Sequence, residues 1–173
     1  MTPTFTRPLA LVTGASSGIG RELATQFADN DFDLVVTAED ADIVTAAREL
    51  EPSGVSVEAV QVDLSTGDGV EELYRRVTET GRPLDAAALN AGVGAGGAFA
   101  SDTDLADELR IVDLNCRSTV HLAKYLARDM VARGEGRILF TSSIASTMPG
   151  TFQAPTTPRS PSASPLLWRC AAS

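Results

Sequence analysis

Short apolar runs alternate along the chain with longer stretches in which apolar residues return every three or four positions. Residues 9–13 (Leu-Ala-Leu-Val-Thr) form one such run, closed by Gly14, the pattern of a strand buried on both faces. Ile19, Leu23 and Phe27 then recur at i, i+4 and i+8, with Arg21, Glu22 and Gln26 between them, which predicts an amphipathic helix over 18–28. Leu34 to Thr37 is the next strand, and Ile43, Ala46, Ala47 and Leu50 place a helix over 40–50, ended by Gly54. Residues 55–60 alternate as a strand, Val70, Leu73, Tyr74 and Val77 mark a helix over 67–79, and Leu84 to Leu89 is a fourth strand. Helices over 102–114 and 116–133 and a strand over 137–141 complete the series, and after Ser143 the periodicity stops.

Strands and helices in strict alternation, joined by a few residues each, imply right-handed crossovers in a parallel sheet. The expected fold is a doubly wound α/β domain over residues 1–150, incomplete after its fifth strand. Residues 151–173 read as a disordered, low-complexity tail. Such a truncated sheet would leave the fifth strand as an open edge and helix faces without partners, so poor solubility or aggregation is expected.

Charge sharpens that division. All 23 Asp and Glu lie at or before position 135, whereas Thr151 to Ser173 carries only Arg159 and Arg169, and four of the nine prolines fall between Pro155 and Pro165. The net charge of −9 argues against nucleic acid or an anionic membrane as a partner. No long apolar segment or signal peptide is present, so a cytoplasmic protein is expected. Cys116 and Cys170 are too few and too far apart for a disulfide framework or a zinc site, and no metal site is expected. A single lysine, Lys124, against thirteen arginines hints at GC-rich coding DNA.

Candidate chemistry begins at the first strand-to-helix turn, Thr13-Gly14-Ala15-Ser16-Ser17-Gly18-Ile19-Gly20. Gly14 permits a backbone conformation that a Cβ would forbid, Gly18 lets a pyrophosphate approach the main chain, and Gly20 lets the helix pack against the strand. The free N–H groups of Ser16 to Gly20 would then face a diphosphate, helped by the helix dipole. Nineteen residues past Gly20, Glu39 stands where a dinucleotide fold places the acid for the adenosine ribose hydroxyls, and it would repel a 2′-phosphate. Glu39 and Asp40 therefore favour NAD over NADP, although one of them could instead start the next helix. Arg21 or Arg48 could still serve a phosphate.

Thr13-Gly14-x-x-x-Gly18-x-Gly20, Asp63-Leu64, Asn90-Ala91-Gly92, Asn115 and Ser142-Ser143, in that order, resemble the classical short-chain dehydrogenases/reductases over about residues 8 to 154. The resemblance implies a Rossmann fold, an NAD or NADP cofactor, a small alcohol or carbonyl substrate and a homo-oligomer. It implies that Asp63, with Leu64, holds the adenine and that Asn90, Ala91 and Gly92 support the central sheet beside the cofactor. It also implies a catalytic Asn, Ser, Tyr and Lys, of which Asn115 matches the first and Ser143 the second, Ser142 being the less favoured neighbour. In that family the Tyr exchanges the substrate proton, the Lys and the cofactor lower its pKa, the Ser orients the carbonyl, and the Asn holds a water that passes the proton on. His121, with no carboxylate placed beside it by sequence, is read as structural. Residues Val93 to Phe99 are the candidate substrate lining.

The likeness breaks where Tyr-x-x-x-Lys belongs. Position 156 is Thr, no Tyr follows Tyr125, and no Lys follows Lys124. Yet Pro-Thr-Thr-Pro-Arg-Ser over 155–160 can be coded so that the frame starting at the third base of codon 155 reads TAC AAC GCC TCG AAG, or Tyr-Asn-Ala-Ser-Lys. The expectation is a one-base shift near codon 154 that replaced the natural C-terminal part. The resulting chain would bind cofactor without dehydrogenase turnover. The alternatives are a natural non-catalytic dinucleotide-binding protein and a methyltransferase-like nucleotide domain, the latter disfavoured by Asn90-Ala91-Gly92 and Ser142-Ser143.

Overall fold

A computed structural model describes residues 7–94, 96, 101–142 and 167–169. Five parallel strands, β1 (Leu9–Thr13), β2 (Asp33–Ala38), β3 (Val57–Gln61), β4 (Ala86–Leu89) and β5 (Arg137–Phe140), lie in the order β3-β2-β1-β4-β5. The order reverses between β1 and β4, so the crevice outside their carboxyl ends is the topological switch point, where open α/β sheets bind ligands. The expected doubly wound α/β fold is therefore present.

Both faces of the sheet are covered, as the continuous apolar strands require. One face buries Leu11, Val35, Leu73, Leu122, Leu126 and Met130 beneath α3 (Gly67–Glu79) and α5 (Thr119–Arg133). The other buries Val12, Val36, Ile43 and Leu50 beneath α1 (Gly18–Asp29) and α2 (Asp42–Leu50). On α1 the buried face is Gly20, Ala24 and Ala28, and Ile19, expected inside, is 63% exposed. Small residues let this helix lie close to the sheet, with Leu23 and Phe27 flanking the contact as half-buried packing.

Two further boundaries differ from expectation. The helices over 102–114 and 116–133 are one uninterrupted run: α4 (Leu105–Val112), a π-helical segment over Asp113–Ser118, then α5. No Gly or Pro interrupts 105–133, so nothing in the sequence stops the helix there. Beyond β5, Leu167–Arg169 forms a short strand β6, antiparallel to β5 with Ile138 opposite Trp168, so that edge is not open along its length. Three residues without flanking periodicity give no strand signal, which is why the reading of 151–173 as unstructured missed them.

The outer side of the α4–α5 run carries the exposed apolar residues Leu105, Leu109, Val112, Val120 and Val131. They fit the expectation of helix faces without partners.

Candidate functional site

The site is built from the loops at the carboxyl ends of the parallel strands. After β1 the chain turns through Gly14 at φ +67° and Gly18 at φ +54° into α1, and the turn is pinned to β2 by Ala15 N–H donating to the Thr37 carbonyl at 3.1 Å. A Cβ on Gly14 would stand 2.9 Å from Ala91 Cα, and one on Gly20 would stand 1.9 Å from the Gly14 carbonyl oxygen. At Gly18, by contrast, a Cβ would meet nothing within 4 Å, so the backbone there faces open space. Ser17 at the N-cap is extended and makes no side-chain cap bond, leaving the first-turn N–H groups unclaimed by it. An open, uncapped helix start with partial positive charge suits an anion. A pyrophosphate therefore fits this turn. Ser16, half-buried, and Ser17, exposed, stand beside it.

The acids after β2 separate into two roles. Asp40 stands two residues before α2, accepting from Asp42 N–H at 3.0 Å through one oxygen and from the Ser16 hydroxyl at 2.9 Å through the other. Glu39 is free of that task, and its carboxylate instead accepts from the Arg110 guanidinium, which also lies 3.8 Å from Asp63. Burial pulls the Asp63 carboxyl upward, but hydrogen bonds from Ser65 and the Arg110 charge outweigh it and hold it below the ordinary carboxylate range. Leu64, its neighbour, is buried in the core with Val60 and Val70. Arg21, weighed as a phosphate ligand, is paired with Glu49 across α1 and α2. Arg48 sits in the last turn of α2.

On the other side of the crevice the buried Thr13 hydroxyl accepts from Asn90 N–H and Ala91 N–H, each at 2.9 Å. One side chain at the end of β1 thereby fixes the loop after β4. The Asn90 side-chain amide donates toward the Gly14 carbonyl at 3.4 Å. Asn115 lies in the π-helical segment, and its side chain accepts from Val93 N–H at 3.0 Å and donates to the Val93 carbonyl at 2.8 Å. A Cβ on Gly92 would approach the Asn115 amide oxygen to 3.2 Å. The Asn115 side chain thus holds the backbone just past Asn90, Ala91 and Gly92. Ser142 follows β5 at the same edge and is exposed, while Ser143, residues 155–160 and Cys170 lie outside the described residues. Of the candidate lining from Val93 to Phe99, only Val93, Gly94 and Gly96 are described.

The chain's two tyrosines stand elsewhere. Tyr125 donates to Glu71 at 2.7 Å and Tyr74 to Asp129 at 2.8 Å, tying α3 to α5. Hydrogen bonding to Glu71 raises the Tyr125 phenol, and burial followed by the Asp129 contact raises that of Tyr74. Both shifts oppose proton release. Tyr125 is also ten residues beyond Asn115, about 15 Å along a helix. His121 does have a carboxylate partner, Glu71 at 3.0 Å, supplied by α3 and invisible to local sequence. Its place in that same helix-to-helix contact agrees with a structural role. Burial pushes the Cys116 thiol up, so it stays protonated at neutral pH. Among the described residues no cluster of His, Cys, Asp or Glu could hold a metal ion. No described helix is long and apolar enough to cross a membrane.

Sequence reasoning missed Arg110 and the role of Thr13. Arg110 had no signal, being 71 positions from Glu39. Thr13 opens the glycine motif, but only the fold shows what its hydroxyl holds.

Known proteins resemble the chain in sequence and in fold. The family model for short chain dehydrogenase matches residues 8–155. A very-long-chain 3-oxoacyl-CoA reductase of Podospora anserina is 33% identical over 151 residues, covering 84% of this chain and 44% of that protein. An NAD-dependent glycerol dehydrogenase of Listeria innocua is 29% identical, covering 82% of this chain and 55% of its own length. The L-sorbose reductase of Gluconobacter frateurii, solved with NADPH and L-sorbose, superimposes with a TM-score of 0.81 at 31% identity, covering 87% of this chain and 58% of that one. The chain spans about half the length of these relatives. The family match over residues 8–155, with the likeness in sequence and fold, excludes the methyltransferase-like alternative, and the chain belongs to the short-chain dehydrogenase family.

Proposed function

We propose that the chain is the dinucleotide-binding part of a nicotinamide-dependent oxidoreductase acting on an alcohol or carbonyl compound. We further propose that its 173 residues bind the cofactor without turning substrate over. The observation that carries the reading is the uncapped start of α1, entered through Gly14 and an open Gly18, at the switch point of the sheet. When bound there, the dinucleotide supplies the hydride acceptor or donor that no side chain provides.

The chain's own residues would bind and orient it. N–H groups from Ser16 to Gly20 would face the diphosphate, and Glu39 would accept from the ribose hydroxyls, which favours NAD. Asp63 and the Leu64 backbone would border the adenine, and Asn90, Ala91 and Gly92 would form the wall on the β4 side. Asn115 shapes that wall through Val93, and Ser143 would orient the substrate oxygen by the family resemblance. Neither exchanges a proton, and both tyrosines are held by carboxylates that oppose ionisation. The names of the relatives support a carbonyl or alcohol substrate, and they support both cofactors, one being NAD-dependent and another solved with NADPH. The exposed apolar residues of α4 and α5 support self-association.

Fluorescence titration with NADH tests the reading, with saturable 1:1 binding expected and no NAD-linked oxidation of simple alcohols. Absence of binding refutes the cofactor site, and turnover in a sample free of contaminating enzymes refutes the inactivity. The coding DNA tests its origin: a frame near codon 154 that encodes Tyr-x-x-x-Lys, followed by helix and strand patterns, is expected. If neither alternative frame does so, the proposed one-base shift is wrong.

A further inference from the structure

We propose that Arg110 sets how far the adenosine end of this site discriminates between NADH and NADPH, by neutralising Glu39 and offering a cation to a 2′-phosphate. The inference rests on the reading of the site given above and deepens it. Glu39 and Asp63 come from the ends of adjacent strands, β2 and β3, while Arg110 comes from the last turn of α4. Its guanidinium reaches from the helix side to both carboxylates, bonded to Glu39 and 3.8 Å from Asp63.

A lone acid after β2 rejects a 2′-phosphate by repulsion. Here the acid is paired, so a third charged group meets an ion pair. The guanidinium carries five N–H donors in a planar fork, more than its two carboxylate contacts use, and that fork matches a phosphate as well as a carboxylate. Side-chain exposure of 40% for Arg110 and 56% for Glu39 leaves the pair open to solvent, so it can exchange one anion for another at small cost. Arg21, the cation nearest in sequence to the glycine turn, is occupied by Glu49. Glu39, Asp40 and Asp63 together still exceed the single positive charge of Arg110. NADH therefore stays the better ligand, and Arg110 narrows its advantage.

The test is titration of NADH and NADPH against the wild-type chain, Arg110→Gln and Arg110→Lys. Loss of a charge-assisted contact to phosphate predicts that Arg110→Gln weakens NADPH about tenfold while changing NADH by less than about threefold. Arg110→Lys keeps the charge but not the fork, and should fall between the two. It also preserves the pairing with Glu39, so it remains informative if Arg110→Gln fails to fold. Equal changes in both dissociation constants would make Arg110 a structural residue and overturn the proposal, as would unchanged or tighter NADPH binding. A wild-type chain that binds NADH but gives no measurable NADPH binding overturns this inference alone. A wild-type chain that binds neither overturns the site itself.

Discussion

Replacing Thr13 by Val removes one oxygen and almost no volume, so it isolates what that oxygen does. In the wild type it accepts two backbone N–H groups, Asn90 and Ala91, at 2.9 Å each, on a residue only 2% exposed. Valine leaves both donors without that partner, and each unsatisfied donor costs about 1–3 kcal/mol where water cannot replace the acceptor. Ala91 and Asn90 are partly buried, so the lower half of that range applies, and the sum is roughly 2–4 kcal/mol. For a domain of this size the melting temperature should fall by roughly 5–15 °C. Thr13→Ser is the control, since it keeps the oxygen and loses one methyl, worth about 1 kcal/mol. The assay is thermal unfolding followed by far-ultraviolet circular dichroism, at concentrations low enough to prevent self-association. If Thr13→Val melts at or above Thr13→Ser, the hydroxyl does not hold the β4 loop and the account of the crevice is wrong. NADH affinity should follow the same order, because the Asn90 loop forms one wall of the proposed site.

Gly18→Ala meets no atom but keeps a positive φ, so it should fold, lose roughly 1–2 kcal/mol, and bind NADH about tenfold more weakly in titration. Gly20→Ala puts a Cβ against the Gly14 carbonyl and should abolish cooperative unfolding; a stable Gly20→Ala protein would contradict the described packing. Burial raises the Asp33 carboxyl, but the Ser56 N–H, Arg82 and Arg7 outweigh it and leave its pKa below the ordinary 3.8. Its stabilising contribution is therefore complete above about pH 3.8 and drains away as the pH falls through the lowered folded-state value. Asp33→Asn should be less stable at neutral pH, with the gap closing below that point; a gap constant down to the acid transition would refute the linkage. Val120→Glu and Leu109→Glu, on the exposed apolar side of the α4–α5 run, should reduce concentration-dependent association in analytical ultracentrifugation while leaving the circular dichroism spectrum unchanged. Association unaffected by both would move the contact elsewhere.

Legibility followed the range of the interactions. The central strands β1, β2 and β4 were readable because a strand buried on both faces is a continuous apolar run, β3 because its residues alternate, and the glycine turn because its residues are contiguous. The helix face of α1 was misread by one position. Periodicity ranks residues by apolarity, whereas Gly20, Ala24 and Ala28 are buried because they are small. The roles of Glu39 and Asp40 could not be separated in sequence, since both are acids at the same boundary; a hydrogen bond to Asp42 N–H and an ion pair from α4 separate them in space. Arg110 and the Glu71 partner of His121 left no local trace. The union of the two long helices was missed although no Gly or Pro separates them, because the pattern of buried positions changes between residues 113 and 118, where the π-helical segment lies.

That change of pattern has a geometric consequence. Leu114, Ser118, Leu122, Leu126 and Met130 are all buried, at intervals of four residues. In a straight α-helix each step of four overshoots a full circle by about 40°, so the buried line would wander around the rod and leave the sheet. A π turn spends an additional residue on one circuit and takes back part of that drift. The segment from Asp113 to Ser118 thus acts as a phase adjuster between the half of the rod that points Arg110 at Glu39 and the half that rests on the core. Deleting one residue there would keep the helix continuous and well hydrogen-bonded, yet set its two halves about 100° out of step. Helical content would then be the wrong measure of damage, because the loss would be one of alignment.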